Sequence, residues 1–213
     1  MDSPDPAGRR PAREGAGRPA TVQRRRLERE KAILDAAEKL LAEQGYEAAT
    51  LKGIGERAGI PTASVYHYYA DRHEVDAELV RRHLRALDEL VETALNDPGV
   101  DTLQDVIDAV VEPQLAYHRR HQSFVVLWYA GAGPALTELA RAHRTAQAEQ
   151  LWRLLLTREL VLPDTPLHAV EVAFEAGDRL FDVAFRRSPG GDATTIREAR
   201  RLVTAYLETY ATQ

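Results

Sequence analysis

Thr50 to Val75 reads TLKGIGERAGIPTASVYHYYADRHEV, and the punctuation inside it decides the fold. Thr50 carries the short hydroxyl that caps a helix by accepting from first-turn N–H groups. Leu51, Ile54 and Ala58 follow at helical spacing. Gly59 closes that helix, because glycine enters the left-handed C-cap conformation without a steric cost. Pro61 suits the start of the next helix, where its missing N–H is not needed. Over Pro61 to Tyr69, Val65 and Tyr69 lie four apart and face inward, leaving Thr62, Ala63, Tyr66 and His67 outward. Asp71 can cap a third helix. A helix, a tight glycine turn and a short polar-faced helix make a helix-turn-helix, whose second helix is built to lie in a DNA major groove.

The outward groups suit that use. Hydroxyls and an imidazole can bond base edges, and the Ala63 methyl can meet a thymine methyl. Thr50, Lys52, Tyr68 and Arg72 flank the short helix and suit phosphate contacts, which set register without reading sequence. The plain alternative is an ordinary surface helix. Charge placement argues against it. The 213 residues carry a net −5, yet Arg9 to Lys31 holds nine basic and three acidic residues, a local +6. Residues 1–8 carry −2 and the remainder −9. A basic end on an acidic body fits a molecule that meets phosphates at one end.

Outward from the motif, the chain reads as helices. Residues 1–21 hold four prolines and three glycines among charges and read as a flexible basic tail. Around Ala16-Gly17-Arg18-Pro19 it is compatible with a minor-groove arm, though a solvated leader is the simpler reading. Helical pattern starts near Arg24, with Leu27, Ile33, Leu34, Ala37, Leu40 and Leu41 as its stripe, and Gly45 ends it. After Asp71 a long helix runs to about Leu95 and stops at Asn96-Asp97-Pro98-Gly99. Further helices are expected over about 101–119, with a kink at Pro113, then 122–129, 134–160, 166–187 and 192–211. The stop before 134–160 is Gly131-Ala132-Gly133-Pro134. No strand alternation stands out. The fold class is therefore all-α: a helix-turn-helix DNA-binding domain over 22–70 and a larger helical body over 71–213.

Three short helices, a long fourth and five more resemble the TetR family of bacterial transcription regulators. The residues that carry the resemblance are Thr50, Ile54, Ala58-Gly59, Tyr66, Tyr68-Tyr69 and Asp71-Arg72, within about residues 24–80. Two features depart from it. Gly53 and Gly55 sit inside the second helix, where each costs roughly 0.5–1 kcal/mol against alanine, and Arg72 stands where lysine is commoner. The resemblance implies a homodimer on a palindromic duplex operator, with a small-molecule effector in the body and release of DNA on binding it. It also implies dimer pairing through the last two helices. Gly177, Phe181 and Phe185 on the eighth helix and Leu202 and Tyr206 on the ninth suit that face.

Within the body, polar groups interrupt apolar stripes. Gln114 continues the row Leu103, Ile107, Val110, and His143 and Gln147 continue Leu136, Ala140. His83 lies with Val80, Leu84 and Leu87. Buried polar groups need partners, so these pair internally or a ligand completes them. With Tyr117, Trp128 and Phe174 as aromatic walls, Gln114, His143 and Gln147 are the candidate lining of a small-molecule cavity. Glu171, Glu175, Asp178 and Asp182 read as solvated ion pairs with Arg179 and Arg186. His118 and His121 are three apart, but Arg119 and Arg120 between them disfavour a cation, so no metal site is assigned.

The chain has no cysteine, which excludes disulfides and thiolate chemistry. HExxH, a glycine-rich phosphate loop and a serine with an evident histidine partner are missing, so no enzyme, catalytic residue or cofactor is expected. No apolar run approaches a membrane span of roughly 18 residues, and a soluble cytoplasmic protein without membrane contact is expected. One rival remains: a DNA-binding regulator whose body receives a protein and no small ligand.

Overall fold

The computed structural model describes residues 18–130 and 133–212. The proline-rich segment 1–17, with most of the stretch compatible with a minor-groove arm, and residues 131 and 132 lie outside the described residues. Nine helices form the described part: α1 (Arg18–Gln44), α2 (Leu51–Ala58), α3 (Thr62–Val65), α4 (Arg72–Leu95), α5 (Leu103–Arg120), α6 (Gln122–Ala130), α7 (Pro134–Thr157), α8 (Leu167–Arg187) and α9 (Ala193–Glu208). Val161 and Ala211 form an isolated antiparallel bridge that ties the C-terminal end to the α7–α8 link.

The helix ends follow the local chemistry. Thr50 accepts from the Gly53 N–H, Asp71 from Glu74 and Asp192 from Thr195. Thr102 and Asp105 make a reciprocal capping box at α5. Gly45 and Gly59 take φ of 80° and 67°, the left-handed conformation that ends α1 and α2.

Several boundaries differ from expectation. α1 begins at Arg18, ahead of Arg24, with Pro19 in the first turn, where the missing N–H is tolerated. Its early turns project from the core: Leu27, expected in the buried stripe, is 58% exposed. α3 proper is one turn, and hydrogen-bonded turns carry the chain on to Tyr69. α5 runs through Pro113 to Arg120 without ending.

One apolar cluster joins Ile33, Leu34, Ala37 and Leu40 of α1, Ile54 of α2 and Val65 to Val75, Leu79, Val80 and Leu84 of α4, Phe124 and Leu127 of α6 and Leu136 of α7. A second gathers α5, α7, α8 and α9 around Val106, Leu155, Val170 and Leu207. A third places Phe181, Ala184 and Phe185 of α8 against Leu115, Val125 and Ile196. α4 therefore packs on the N-terminal helices at one end and on the body along the rest.

Candidate DNA-reading face and effector cavity

The inward residues of the motif are placed as the spacing predicts. Val65 and Tyr69 are buried, anchoring α3 on α2 and α4. Ala63, Tyr66 and His67 are exposed, Tyr66 to 57%, and Thr62 and Tyr68 are half-buried beside them. Thr50 and Lys52 lie exposed at the α2 N-terminus, Lys52 within 3.9 Å of Glu56. A groove lined by Tyr46, Thr50, Lys52, Tyr66 and Arg72 separates that N-terminus from the recognition turn.

Gly55 explains one of the unexpected glycines. A Cβ there would lie 2.8 Å from the Ile60 carbonyl oxygen and 3.2 Å from Val65 Cγ2. The missing side chain lets α2 and α3 approach, so its propensity cost secures the spacing of the motif.

Arg72 corrects the phosphate reading. Its Nε donates to Asp76 Oδ1 at 2.6 Å, and its Nη1 donates to the Ala49 carbonyl and to the Tyr46 carbonyl at 3.3 Å. The guanidinium sits 4.6 Å over the Tyr46 ring, and Asp76 is fully buried. A guanidinium held through Nε and Nη1, with Nη2 buried and unpartnered, locks the α1–α2 link onto α4; it is not a free phosphate ligand.

Among α4, α5, α6, α7, α8 and α9 lies a cavity of about 110 Å³. Gln114, Trp128, His143, Gln147 and Phe174, all expected there, line it. Tyr117 does not. It is buried on the α4 side, its hydroxyl 2.9 Å from His83 Nδ1, because the α5 face carrying it turns toward α4 rather than α8. The walls are largely apolar: Leu84, Leu87, Val91, Ile107, Val110 and Leu151. The polar groups come in two sets. Gln147 Nε2 donates to Asp88 Oδ1 at 2.8 Å, with His143 Nε2 3.6 Å from the same oxygen. Across the cavity, Arg144 reaches Asp178 at 3.2 Å and Glu175 at 3.3 Å, and Trp128 Nε1 donates to Asp178 at 3.3 Å.

Burial sets the protonation of these groups. It pushes Asp88 up to about 6 and raises Asp178, against the opposing pull of Arg144. It lowers His143 to about 4, with Arg144 adding to the effect. His143 is thus neutral near pH 7, able to donate from one nitrogen and accept at the other.

Asp88, His118, Arg144 and Asp178 also line the cavity and are missing from the sequence-derived lining. A signal existed for two of them: Asp88 lies four after Leu84 and Asp178 four after Phe174, on stripes already read as inward. The expected ion pairs of the α8 acids hold in part: Arg186 pairs with Asp182 as the spacing predicts, but the burial of Asp182 and the partner of Glu175 differ. Glu175 pairs with Arg144, and the buried Asp182 is held by both Arg179 and Arg186. His118 does not face His121. It is buried beside Phe185, with Nδ1 2.6 Å from the Gln114 carbonyl.

The proposed dimer face also changes. Phe181 and Phe185 are 5% and 7% exposed within the third core cluster, and Gly177 lines the cavity, where a Cβ would lie 3.6 Å from Val203 Cγ2. Those residues hold α8 on its own chain. Leu202 is 48% exposed and Tyr206 half-buried. The outward apolar residues of these two helices include Val172 and Leu202.

A helix-turn-helix joined to a helical body around a largely apolar cavity is the architecture of a DNA-binding regulator. Residues 33–78 match the bacterial regulatory proteins of the tetR family, and residues 102–207 match the tetracyclin repressor-like C-terminal domain. A TetR-family transcriptional regulator from Streptomyces coelicolor is 31% identical, with a TM-score of 0.66 over 85% of this chain and 99% of that one. The HTH-type transcriptional regulator BetI of Vibrio atlanticus is 22% identical over 77% of this chain and 82% of its own length. The fatty acid degradation regulator FadR from Bacillus halodurans shares the fold, with a TM-score of 0.65 at 14% identity, over 83% of this chain and 94% of that one. The chain belongs to the TetR family. It is a DNA-binding transcriptional regulator and not an enzyme. Among the described residues no helix is long and apolar enough to cross a membrane.

Proposed function

We propose that this regulator is a homodimeric repressor that reads a palindromic operator through α3 and releases it when a small amphiphilic molecule enters the body cavity. Thr62, Ala63, Tyr66 and His67 read bases; Thr50, Lys52 and Tyr68 hold phosphates. The observation that carries the reading is that α4 serves both ends. Asp76 on its first turns clamps Arg72 and Tyr46 beside the reader, and Leu84, Leu87, Asp88 and Val91 on the same helix line the cavity. At about 110 Å³ the cavity is smaller than the roughly 300–1,000 Å³ usual for ligand sites. An effector must therefore part α4 from α7 and α8, and a rigid helix carries that displacement to the reader. The ligand need only bind the parted state better than the closed one. The apolar walls ask for an apolar body, and Asp88, Gln147 and Arg144 ask for a polar head.

The test selects bound duplexes from a random pool with the full chain, then screens amphiphiles for release. Tyr66→Ala and His67→Ala are expected to lose about 10-fold or more in operator affinity, from about 1–3 kcal/mol per good base contact. Ala173→Trp, which fills the cavity, is expected to keep operator binding and lose release. Release that survives a filled cavity would favour a protein partner for the body.

A further inference from the structure

Where the reader meets the body, three side chains from separate elements converge. Glu38 comes from α1, His83 from α4, and His121 stands at the C-terminal cap of α5. Glu38 Oε1 lies 3.4 Å from His83 Nε2 and 3.5 Å from His121 Nδ1. All three ligand atoms lie within 4.8 Å of one another. Tetrahedral zinc with bonds of about 2.0–2.1 Å needs its ligand atoms about 3.3–3.4 Å apart. Two of the separations already match, and His121, half-buried, has room to adjust the third.

A second observation is independent of this spacing. His83 is 3% exposed, and its Nε2 is buried without a hydrogen-bond partner. A buried polar atom left unpaired in a native core needs an explanation. The other ring nitrogen is fixed by Tyr117 Oη at 2.9 Å. Metal-binding histidines use such an outer hydrogen bond to set the ring and its tautomer. With the proton on Nδ1, the Nε2 lone pair faces a carboxylate oxygen, two acceptors across 3.4 Å. A cation between them removes that conflict.

We propose that Glu38, His83 and His121 bind a first-row divalent cation of the zinc class, with a fourth position open to solvent, and that the ion staples the DNA reader to the body. Two imidazoles and one carboxylate without sulfur suit such ions. Arg82 faces the site from α4. It holds the other Glu38 oxygen at 2.5 Å and Asp35 at 2.6 Å. It thereby orients Glu38 so that Oε1 remains for the metal, while its charge, balanced by Asp35, tempers the affinity. The inference needs neither operator nor effector and stands apart from the repressor reading.

Chelator-treated full chain is titrated with Co²⁺ as a spectroscopic probe and then with Zn²⁺. The expected result is a visible four-coordinate Co²⁺ band that saturates at one ion per chain and is bleached by Zn²⁺. Zn²⁺ is also expected to raise the thermal midpoint, because it binds the folded state. Glu38→Gln and His121→Ala, both at half-buried positions, are expected to lower Co²⁺ affinity by about tenfold or more and to abolish the midpoint shift. A missing band overturns the proposal. So does an affinity unchanged in both variants, which would place the ion on exposed histidines such as His67 or His168.

Discussion

The guanidinium of Arg72 spans the seam between the α1–α2 link and α4, and its partner Asp76 is fully buried. Removing one member of a buried ion pair leaves an uncompensated charge, at a cost of about 3–5 kcal/mol. Arg72→Ala is therefore expected to lose that much in urea unfolding. Arg72→Lys should recover part of it, since an ammonium keeps the charge but not the planar fork. A variant of unchanged stability with weakened DNA binding would restore the phosphate role. Titration gives a second prediction at this scale. Burial lowers His83 to about 3 and His118 and His143 to about 4, from 6.5. Between those values and 6.5 the unfolded chain binds more protons at each, so stability rises with pH through this window and is lost on acidification. Asp88, raised from 3.8 to about 6, and Asp178, also raised, act oppositely. Three imidazoles outweigh two carboxyls, so unfolding midpoints in urea should fall between about pH 7 and about pH 5. A flat profile would mean that the imidazoles protonate without unfolding the chain.

Among the elements, caps and stripes were legible because they are local. Thr50, Gly59 and Asp71 mark helix ends in any context, and Val65 with Tyr69 shows an inward face whatever it packs on. Which inward face meets which neighbour was not legible. The α8 stripe Gly177, Phe181, Phe185 reads as an interface, yet the sequence does not distinguish a partner's helix from α5 and α9 of the same chain. The structure gives the stripe to its own core. Phe181→Ala is therefore expected to destabilise the chain by about 3–5 kcal/mol, whereas Leu202→Glu, at an exposed position, should leave the melt nearly unchanged and weaken self-association. Light scattering beside thermal melts separates them, and a Phe181→Ala chain of full stability would return that residue to the interface. The same limit applies to Gly55, whose cost is visible in sequence while its contact with Ile60 is not. Gly55→Ala should lower both stability and operator affinity, since the added Cβ meets a backbone carbonyl that cannot yield without moving α3. Unchanged operator affinity in a circular-dichroism-normal variant would show that the motif has slack there.

Across the whole molecule, the fold class followed from helical periodicity and stop signals, and the cavity only in part, because it is bounded by six helices whose mutual rotation no single stripe specifies. Tyr117 and Trp128 look alike in sequence, and only packing sends one toward His83 and the other into the cavity. Charge is the property of the whole chain that sequence states outright. The net −5 is the sum of a basic N-terminal stretch and an acidic remainder. Arg24, Arg25, Arg26 and Arg29 lie exposed on the early turns of α1, and Lys52 lies exposed at the start of α2. At long range the acidic body repels duplex DNA, but over a Debye length of about 8 Å at physiological salt the local basic surface governs. Each phosphate neutralised releases condensed counterions, so log affinity should fall linearly with log salt at about −0.9 per contact. Operator affinity is thus expected to drop steeply from low to physiological salt despite the acidic average. Lys52→Ala should make the slope shallower by about one while leaving sequence preference intact. Tyr66→Ala should do the reverse, relaxing preference with the slope kept. Fluorescence anisotropy over a salt series measures both, and a flat salt response in the unmodified chain would remove α2 and α3 from the DNA interface.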